Sequence, residues 1–326
     1  MSVKTALVTG ATGFIGNYLV RELRRQGWPV FCLVRQPLQT QDSGIESLVA
    51  DLASPETLDR VRPYFDRINV VFHLAACLPT HQPPADESIY FKVNTLATVQ
   101  LLRMAVDAGI SSFVYASGVG VIGKPEILPI SENHPVKASH AYFISKLCAE
   151  LYCEMVRCTE KVRVSSLRIT SPYGAGMPFG SVITKFVSQA LQSGNMLWFG
   201  SGDRRQNFVH ARDVIQACLL AADTPNPGVY NVAGDGSVSM RNLAELILQL
   251  TPGSQSLIKA SGKSDSQDDY YWDIDQSSCQ KGLGYRPGVP FREGLREYIA
   301  SIQAGAPALK WWKPNYENSA SGRYPR

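Results

Sequence analysis

Short runs rich in apolar residues recur along the first half of the chain, at residues 5–9 (TALVT), 30–34 (VFCLV), 47–50 (SLVA), 70–75 (VVFHLA), 112–117 (SFVYAS) and 162–169 (VRVSSLRI). Runs of this length without polar alternation predict strands covered on both faces. Between them, residues 15–26, 55–65, 92–108 and 142–159 carry helical spacing. Strand–helix alternation predicts an α/β fold with a doubly wound parallel sheet. After residue 172 the rhythm breaks. A Gly/Pro-rich stretch, PYGAGMPFG, leads to a helix around 181–193 and then to mixed patterning. The expected organisation is a doubly wound domain over 1–172, joined again by segments near 206–232. A smaller mixed α/β substrate lobe occupies most of 173–303, and a polar tail runs over 304–326.

The junction of the first strand and first helix reads TGATGFIG, residues 9–16. Strand, tight turn and helix follow without a spacer, as a phosphate-cradling turn requires. Gly10 permits the turn, Gly13 lets backbone approach a pyrophosphate, and Gly16 lets the helix pack closely; the helix N-terminus then faces the phosphates. The second strand ends in Val34 and Arg35. An acid at that end would hold a ribose 2′-hydroxyl, whereas an apolar residue followed by arginine suits a 2′-phosphate. The expectation is NADP or NAD, with NADP favoured.

Composition changes little in this picture. The 326 residues are 44% hydrophobic and 18% charged with a net charge of +4, and the basic residues are scattered, which speaks against nucleic acid. No leader pattern opens the sequence and no run approaches the ~18 apolar residues of a membrane span. The seven cysteines form no CxxC pair. They read as reduced, mostly buried thiols of a cytoplasmic protein with no metal site.

The chemistry concentrates in AYFISK, residues 141–146, where Tyr142 and Lys146 share one face of a helix. A phenol of reference pKa ~10 is a poor base near neutrality, and lowering it by ~3 units takes about 4 kcal/mol of preferential phenolate stabilisation. A neighbouring ammonium and an oxidised nicotinamide are the expected sources.

With the glycine turn spaced GxxGxxG, these motifs resemble the extended branch of the short-chain dehydrogenase/reductase superfamily, the NAD(P)-dependent sugar epimerase/dehydratase family. LRITSPYGAG (167–176), QNFVHARDV (206–214), GVYNVAGDGSVSMRNLAELI (228–247) and LGYRPGVPFREGLREYI (283–299) resemble further family segments. The resemblance covers about 300 residues. It implies that Tyr142 moves the substrate proton and that Lys146 tunes that phenol and holds the nicotinamide ribose. It assigns cofactor contacts to Gly10, Thr12, Gly13, Phe14, Ile15, Gly16, Arg35, Asp51 (beside the adenine), Leu52, Leu74, Ala75, Ala76, Asn94, Tyr142, Lys146 and Pro172. It also implies a homodimer through the helices at 92–108 and 142–159, with a small-molecule substrate and no membrane partner.

Two departures from the family pattern matter. The third catalytic hydroxyl of the family falls, without a gap, on Gly118, and Ser117 stands one residue early. Either Ser117 serves through a local bulge, or Thr80 or His81 serves, or activity is weak. Loss of one such donor typically costs about 10²–10³ in rate. The arginine that contacts the diphosphate in UDP-sugar epimerases is here Gln206, preceded by Arg204 and Arg205. These arginines either reach a phosphate by another route or are solvated loop charges. Val119 and Gly120 stand where 4,6-dehydratases carry an Asp-Glu pair, so dehydration is not expected. The readings that remain are an epimerase or oxidoreductase on a secondary alcohol or ketone of a sugar or nucleotide sugar, an NADPH-dependent carbonyl reductase similar to the dihydroflavonol reductases, and a non-catalytic dinucleotide sensor.

Overall fold

The computed structural model describes residues 4–79, 86–178 and 180–305. The six apolar runs form β1 (Ala6–Thr9), β2 (Val30–Val34), β3 (Ile45–Val49), β4 (Val70–His73), β5 (Ser112–Gly118) and β6 (Arg163–Ile169). Six short strands follow: β7 (Ser171–Tyr173), β8 (Met196–Trp198), β9 (Arg205–His210), β10 (Val229–Val232), β11 (Ser237–Ser239) and β12 (Ile258–Ala260). The helices are α1 (Phe14–Arg25), α2 (Pro55–Asp59), α3 (Ser88–Tyr90), α4 (Ala97–Asp107), α5 (Ala141–Thr159), α6 (Val182–Leu191), α7 (Ala211–Asp223), α8 (Met240–Leu250), α9 (Ser277–Leu283) and α10 (Phe291–Gln303).

Seven strands make one parallel sheet in the order β10-β6-β5-β4-β1-β2-β3. β1, β2 and β4 are buried along their whole length, because helices cover both faces. On one face α1 and α7 bury Leu19, Val20, Leu23, Val214 and Cys218 against Val8, Cys32 and Phe72. On the other, α4 and α5 bury Leu101, Leu102, Ala105, Ala149 and Cys153 against Leu7, Val71 and Tyr115. The strand order reverses between β1 and β4. In open parallel sheets ligands bind at that switch point, beyond the carboxyl ends of the strands.

The C-terminal lobe has its own core, in which Ile183, Phe186 and Val187 of α6 meet Leu243 and Ile247 of α8 and Leu295 and Ile299 of α10. Two small sheets, β11-β9-β7 and β12-β8, complete it.

Two expected helices are altered. The segment 55–65 divides into α2 and a 3₁₀ turn, Arg62–Arg67, because Pro63 has no N–H with which to continue an α-helical ladder. The segment 92–108 opens with a π-helical stretch, Phe91–Leu96, before α4 begins. The expected tail falls almost wholly outside the described residues.

Candidate active site

Gly10 follows β1 directly and adopts φ +68°, a left-handed conformation that favours glycine. A Cβ there would lie 2.8 Å from the Ala75 nitrogen, across the switch point beyond β4. A Cβ on Gly16 would lie 2.0 Å from the Gly10 carbonyl oxygen. The turn is therefore closed from both sides. Gly13 donates its N–H to the Gly10 carbonyl at 2.9 Å and is the N-cap of α1, with no side-chain cap and no acid in the first turn. The helix thus begins with unmet N–H groups and a positive dipole end, the arrangement a pyrophosphate needs. Asn17, fully buried one turn into α1, has both amide atoms without a partner among the described residues. Thr12, Phe14 and Ile15 are half-buried along this turn.

Across the switch point, His73 ends β4 and is fully buried. Its Nδ1 lies 2.7 Å from Thr9 Oγ1 and its Nε2 lies 2.8 Å from Thr98 Oγ1. Thr98 donates to the Asn94 carbonyl at 2.7 Å, so it must accept from the ring, which assigns the proton to Nε2. Thr9 then donates to Nδ1 and accepts the Ala75 N–H at 3.1 Å. Burial, with Lys146 adding to it, pushes His73 down to about 3 and keeps it neutral. Asn94, inside the π-helical stretch, accepts the Cys77 N–H at 2.8 Å and donates to the Cys77 carbonyl at 3.1 Å and to Ser145 Oγ at 3.0 Å. Ser145 in turn donates to the Tyr142 carbonyl at 2.7 Å. The loop holding Leu74, Ala75 and Ala76 is thereby fastened to α5. Wide π turns recur at functional sites, and this one places an amide where an ordinary helix would place it elsewhere.

Tyr142 and Lys146 open α5. The helix is capped by His140, whose Nδ1 accepts the Tyr142 N–H at 3.1 Å. Tyr142 is half-buried, edge-on to Tyr90 (6.0 Å between ring centres) and to Phe143 (4.9 Å). Lys146 is 2% exposed. Its Nζ lies 4.2 Å from the centre of the Tyr115 ring and has no hydrogen-bond or ion-pair partner among the described residues. Burial pulls this ammonium down to about 7. The expected lowering of Tyr142 by Lys146 does not occur in the protein by itself. Burial, then Cys77 and Tyr90, push the phenol above its ordinary range, while the ammonium is turned over Tyr115.

Ser117 is 6% exposed and donates to Glu150 Oε2 at 2.6 Å. β5 pairs with β6 in unbroken register from Ser112 to Gly118, so no bulge turns Ser117 elsewhere. Gly118 is half-open: a Cβ there would meet only Phe143 at 3.7 Å and the Ile169 carbonyl at 3.9 Å. Thr80 and His81 lie outside the described residues.

Between β9 and β7, Gln206 donates to Ser171 Oγ at 2.6 Å. Arg204 faces Asp265 at 3.2 Å and donates to Gln267 at 3.0 Å, and Arg205 faces Asp273 at 3.6 Å. Both arginines are thus neutralised within the lobe by acids remote in sequence. Pro172 lies on β7, paired with Val209. Arg35 is exposed beyond β2, and Asp51 accepts the Ala53 N–H at 2.9 Å with Leu52 half-buried between them. No group of His, Cys, Asp and Glu able to hold a metal occurs among the described residues.

The close glycine turn, the uncapped N-terminus of α1 and the unpartnered Lys146 ammonium together fit a dinucleotide. A parallel sheet with such a turn at its switch point is a fold of Rossmann type. The chain belongs to the NAD dependent epimerase/dehydratase family, whose model matches residues 6–233. It is 25% identical over 339 residues to dTDP-D-glucose 4,6-dehydratase of Mus musculus, covering 97% of this chain and 90% of that one. Among solved structures it is similar to MoeE5 in complex with UDP-glucuronic acid and NAD, at 29% identity and TM-score 0.79 over 92% of this chain and 99% of that one. UDP-N-acetylglucosamine 4-epimerase from Methanobrevibacter ruminantium M1 shares the fold, at 23% identity and TM-score 0.83 over 94% of this chain and 100% of that one. These relatives are enzymes.

Proposed function

We propose that this protein is an NAD(P)-dependent epimerase or oxidoreductase acting on a secondary alcohol or ketone of a nucleotide sugar. The observation that carries this reading is Tyr142 at the capped start of α5, one turn before an unpartnered Lys146 ammonium. The nicotinamide, when bound, supplies the acceptor and donor of hydride. The chain's own residues handle the proton. Tyr142 takes it from, or returns it to, the substrate oxygen, and the Lys146 ammonium holds the ribose and favours the phenolate once positioned by it. The glycine turn and the first N–H groups of α1 bind the pyrophosphate.

Among the described residues Gly118 supplies no second hydroxyl and Ser117 is engaged by Glu150, which supports Tyr142 as the proton carrier. Val119 and Gly120 offer no acid–base pair for elimination, which supports epimerisation or net redox over dehydration. The nucleotide part of the substrate is supported by the ligands in the names of the relatives. The exposed Arg35 after Val34 supports room for a 2′-phosphate, and hence NADP alongside NAD. On α5, Ile144, Cys148, Leu151 and Met155 form an exposed stripe at helical spacing, which supports a homodimer through that helix.

The test is to denature freshly purified protein and identify any released dinucleotide by mass spectrometry. An epimerase returns the hydride it takes and gains from retaining its cofactor, so near-stoichiometric NAD or NADP supports epimerisation. An empty protein that binds added cofactor supports net redox. Full activity retained by Tyr142→Phe would overturn the mechanism.

A further inference from the structure

The hydroxyl of Ser117, the carboxylate of Glu150 and the guanidinium of Arg168 form one buried cluster a single helical turn beyond Lys146. Arg168 donates from Nη2 to Glu150 Oε1 at 2.7 Å and from Nε at 3.1 Å, while Ser117 occupies Oε2. The two charged side chains are 6% and 3% exposed. Arg168 is further held by the Glu132 carbonyl at 2.9 Å.

The groups facing Lys146 come from three elements. His73 of β4 is neutral. Tyr115 of β5 is raised by burial, as are Tyr142 and Cys153 of α5 itself. All four are uncharged near neutral pH. Glu150 of α5 is the remaining neighbour, and the charge that meets it is Arg168 of β6.

We propose that Ser117 and Arg168 are positioning residues for Lys146 that act through Glu150: by engaging both oxygens of that carboxylate they keep it from capturing the ammonium, which stays free for a ligand. This rests on the reading of Lys146 as the lysine that holds the cofactor ribose. A carboxylate four residues along a helix from a lysine ordinarily pairs with it. Here the guanidinium, with its planar fork of donors, is the stronger competitor, and the serine hydroxyl completes the occupation. Glu150 still favours the charged form of Lys146, but only through the residual field of a compensated pair.

The test titrates NAD into the full-length protein from mildly acid to alkaline pH, followed by intrinsic fluorescence, with log Kd plotted against pH. A break owed to Lys146 is assigned by its disappearance in Lys146→Met. Glu150→Gln leaves Arg168 as the uncompensated neighbour, so the break moves to lower pH by about one unit. Ser117→Ala exposes more of the Glu150 charge to the ammonium, so the break moves the other way by a smaller amount. A role confined to packing would change stability and leave the break in place. A break unmoved in both variants, or no Lys146-dependent break in the wild type, overturns the proposal while leaving NAD binding intact. Failure of the wild type to bind either NAD or NADP at any pH overturns the proposed function as well. If Glu150→Gln does not fold, Ser117→Ala, which removes a single hydroxyl, decides alone: a raised break supports the device and an unmoved one refutes it.

Discussion

Thr9 and His73, at the carboxyl ends of neighbouring strands, share a hydrogen bond of 2.7 Å in a fully buried site. That bond is one link in a chain with no open donor: Ala75 N–H to Thr9, Thr9 to His73 Nδ1, His73 Nε2–H to Thr98, and Thr98 to the Asn94 carbonyl. It spans the switch point and fixes how far apart the glycine turn and the Ala75 loop stand.

Replacing His73 by leucine should leave the buried Thr9 O–H without an acceptor, at about 1–3 kcal/mol, while Thr98 keeps its bond to the Asn94 carbonyl. The expected result is a lower midpoint of denaturant unfolding together with weaker NAD binding. The pH dependence follows from the same burial. The folded ring stays neutral down to about 3, against an ordinary 6.5, so below 6.5 the unfolded chain binds a proton that the folded chain does not. Stability therefore falls as pH drops from 6.5 towards 3, and this contribution is absent in His73→Leu. Unfolding curves at several acid pH values check it.

Lys146→Met should abolish turnover and yet raise stability. The folded ammonium titrates near 7 rather than 10.5, so the unfolded chain is favoured by the proton it keeps. That penalty grows as pH falls from 10.5 to 7 and is constant below. Its upper limit is on the order of 5 kcal/mol, and a gain of a few kcal/mol in the variant is expected near neutral pH. The difference between the two proteins should shrink as the solution is made alkaline. A variant less stable than the wild type near pH 7 would contradict this account.

Gly118→Ser places a hydroxyl where the strand leaves room for a Cβ. Its nearest neighbours would stand at 3.7 and 3.9 Å, ordinary contact distances. A donor to the substrate oxygen is typically worth about 10²–10³ in rate, so kcat should rise with KM little changed. A fall in kcat with unaltered stability would show that the site has been built around the missing side chain.

Leu151 is 59% exposed at the centre of the apolar stripe on α5. Leu151→Arg should halve the solution mass seen by light scattering and leave the unfolding midpoint within the range of a surface change. An unchanged mass would place any dimer contact elsewhere.

The parts of this fold that were legible in the sequence are those set by neighbours along the chain. Buried parallel strands announce themselves as short runs rich in apolar residues, and Gly10, Gly13 and Gly16 sit where local backbone geometry demands them. What escaped is decided by partners remote in sequence. Ser117 looks free in a string of small residues, but Glu150, on a helix that begins 24 positions later, claims its hydroxyl. Arg204 and Arg205 leave phosphate contact and loop solvation both open in the sequence, and the acids they face, Asp265 and Asp273, come from a later loop. The π turn at Phe91–Leu96 has no local mark either, since its reason is the fit of Asn94 between Cys77 and Ser145.

That turn carries one residue more than an ordinary helical turn would hold in the same place. A deletion of one residue within it is then a rotation rather than a shortening. The ladder closes, helical content measured by circular dichroism is kept, and everything upstream swings by about 100° relative to α4. Asn94 or the segment before it would leave the clasp between the Cys77 loop and α5, and NAD affinity would report the loss. The wide turn works as a phase setting, and insertions or deletions in the loop ahead of it are tolerable only while that phase is preserved.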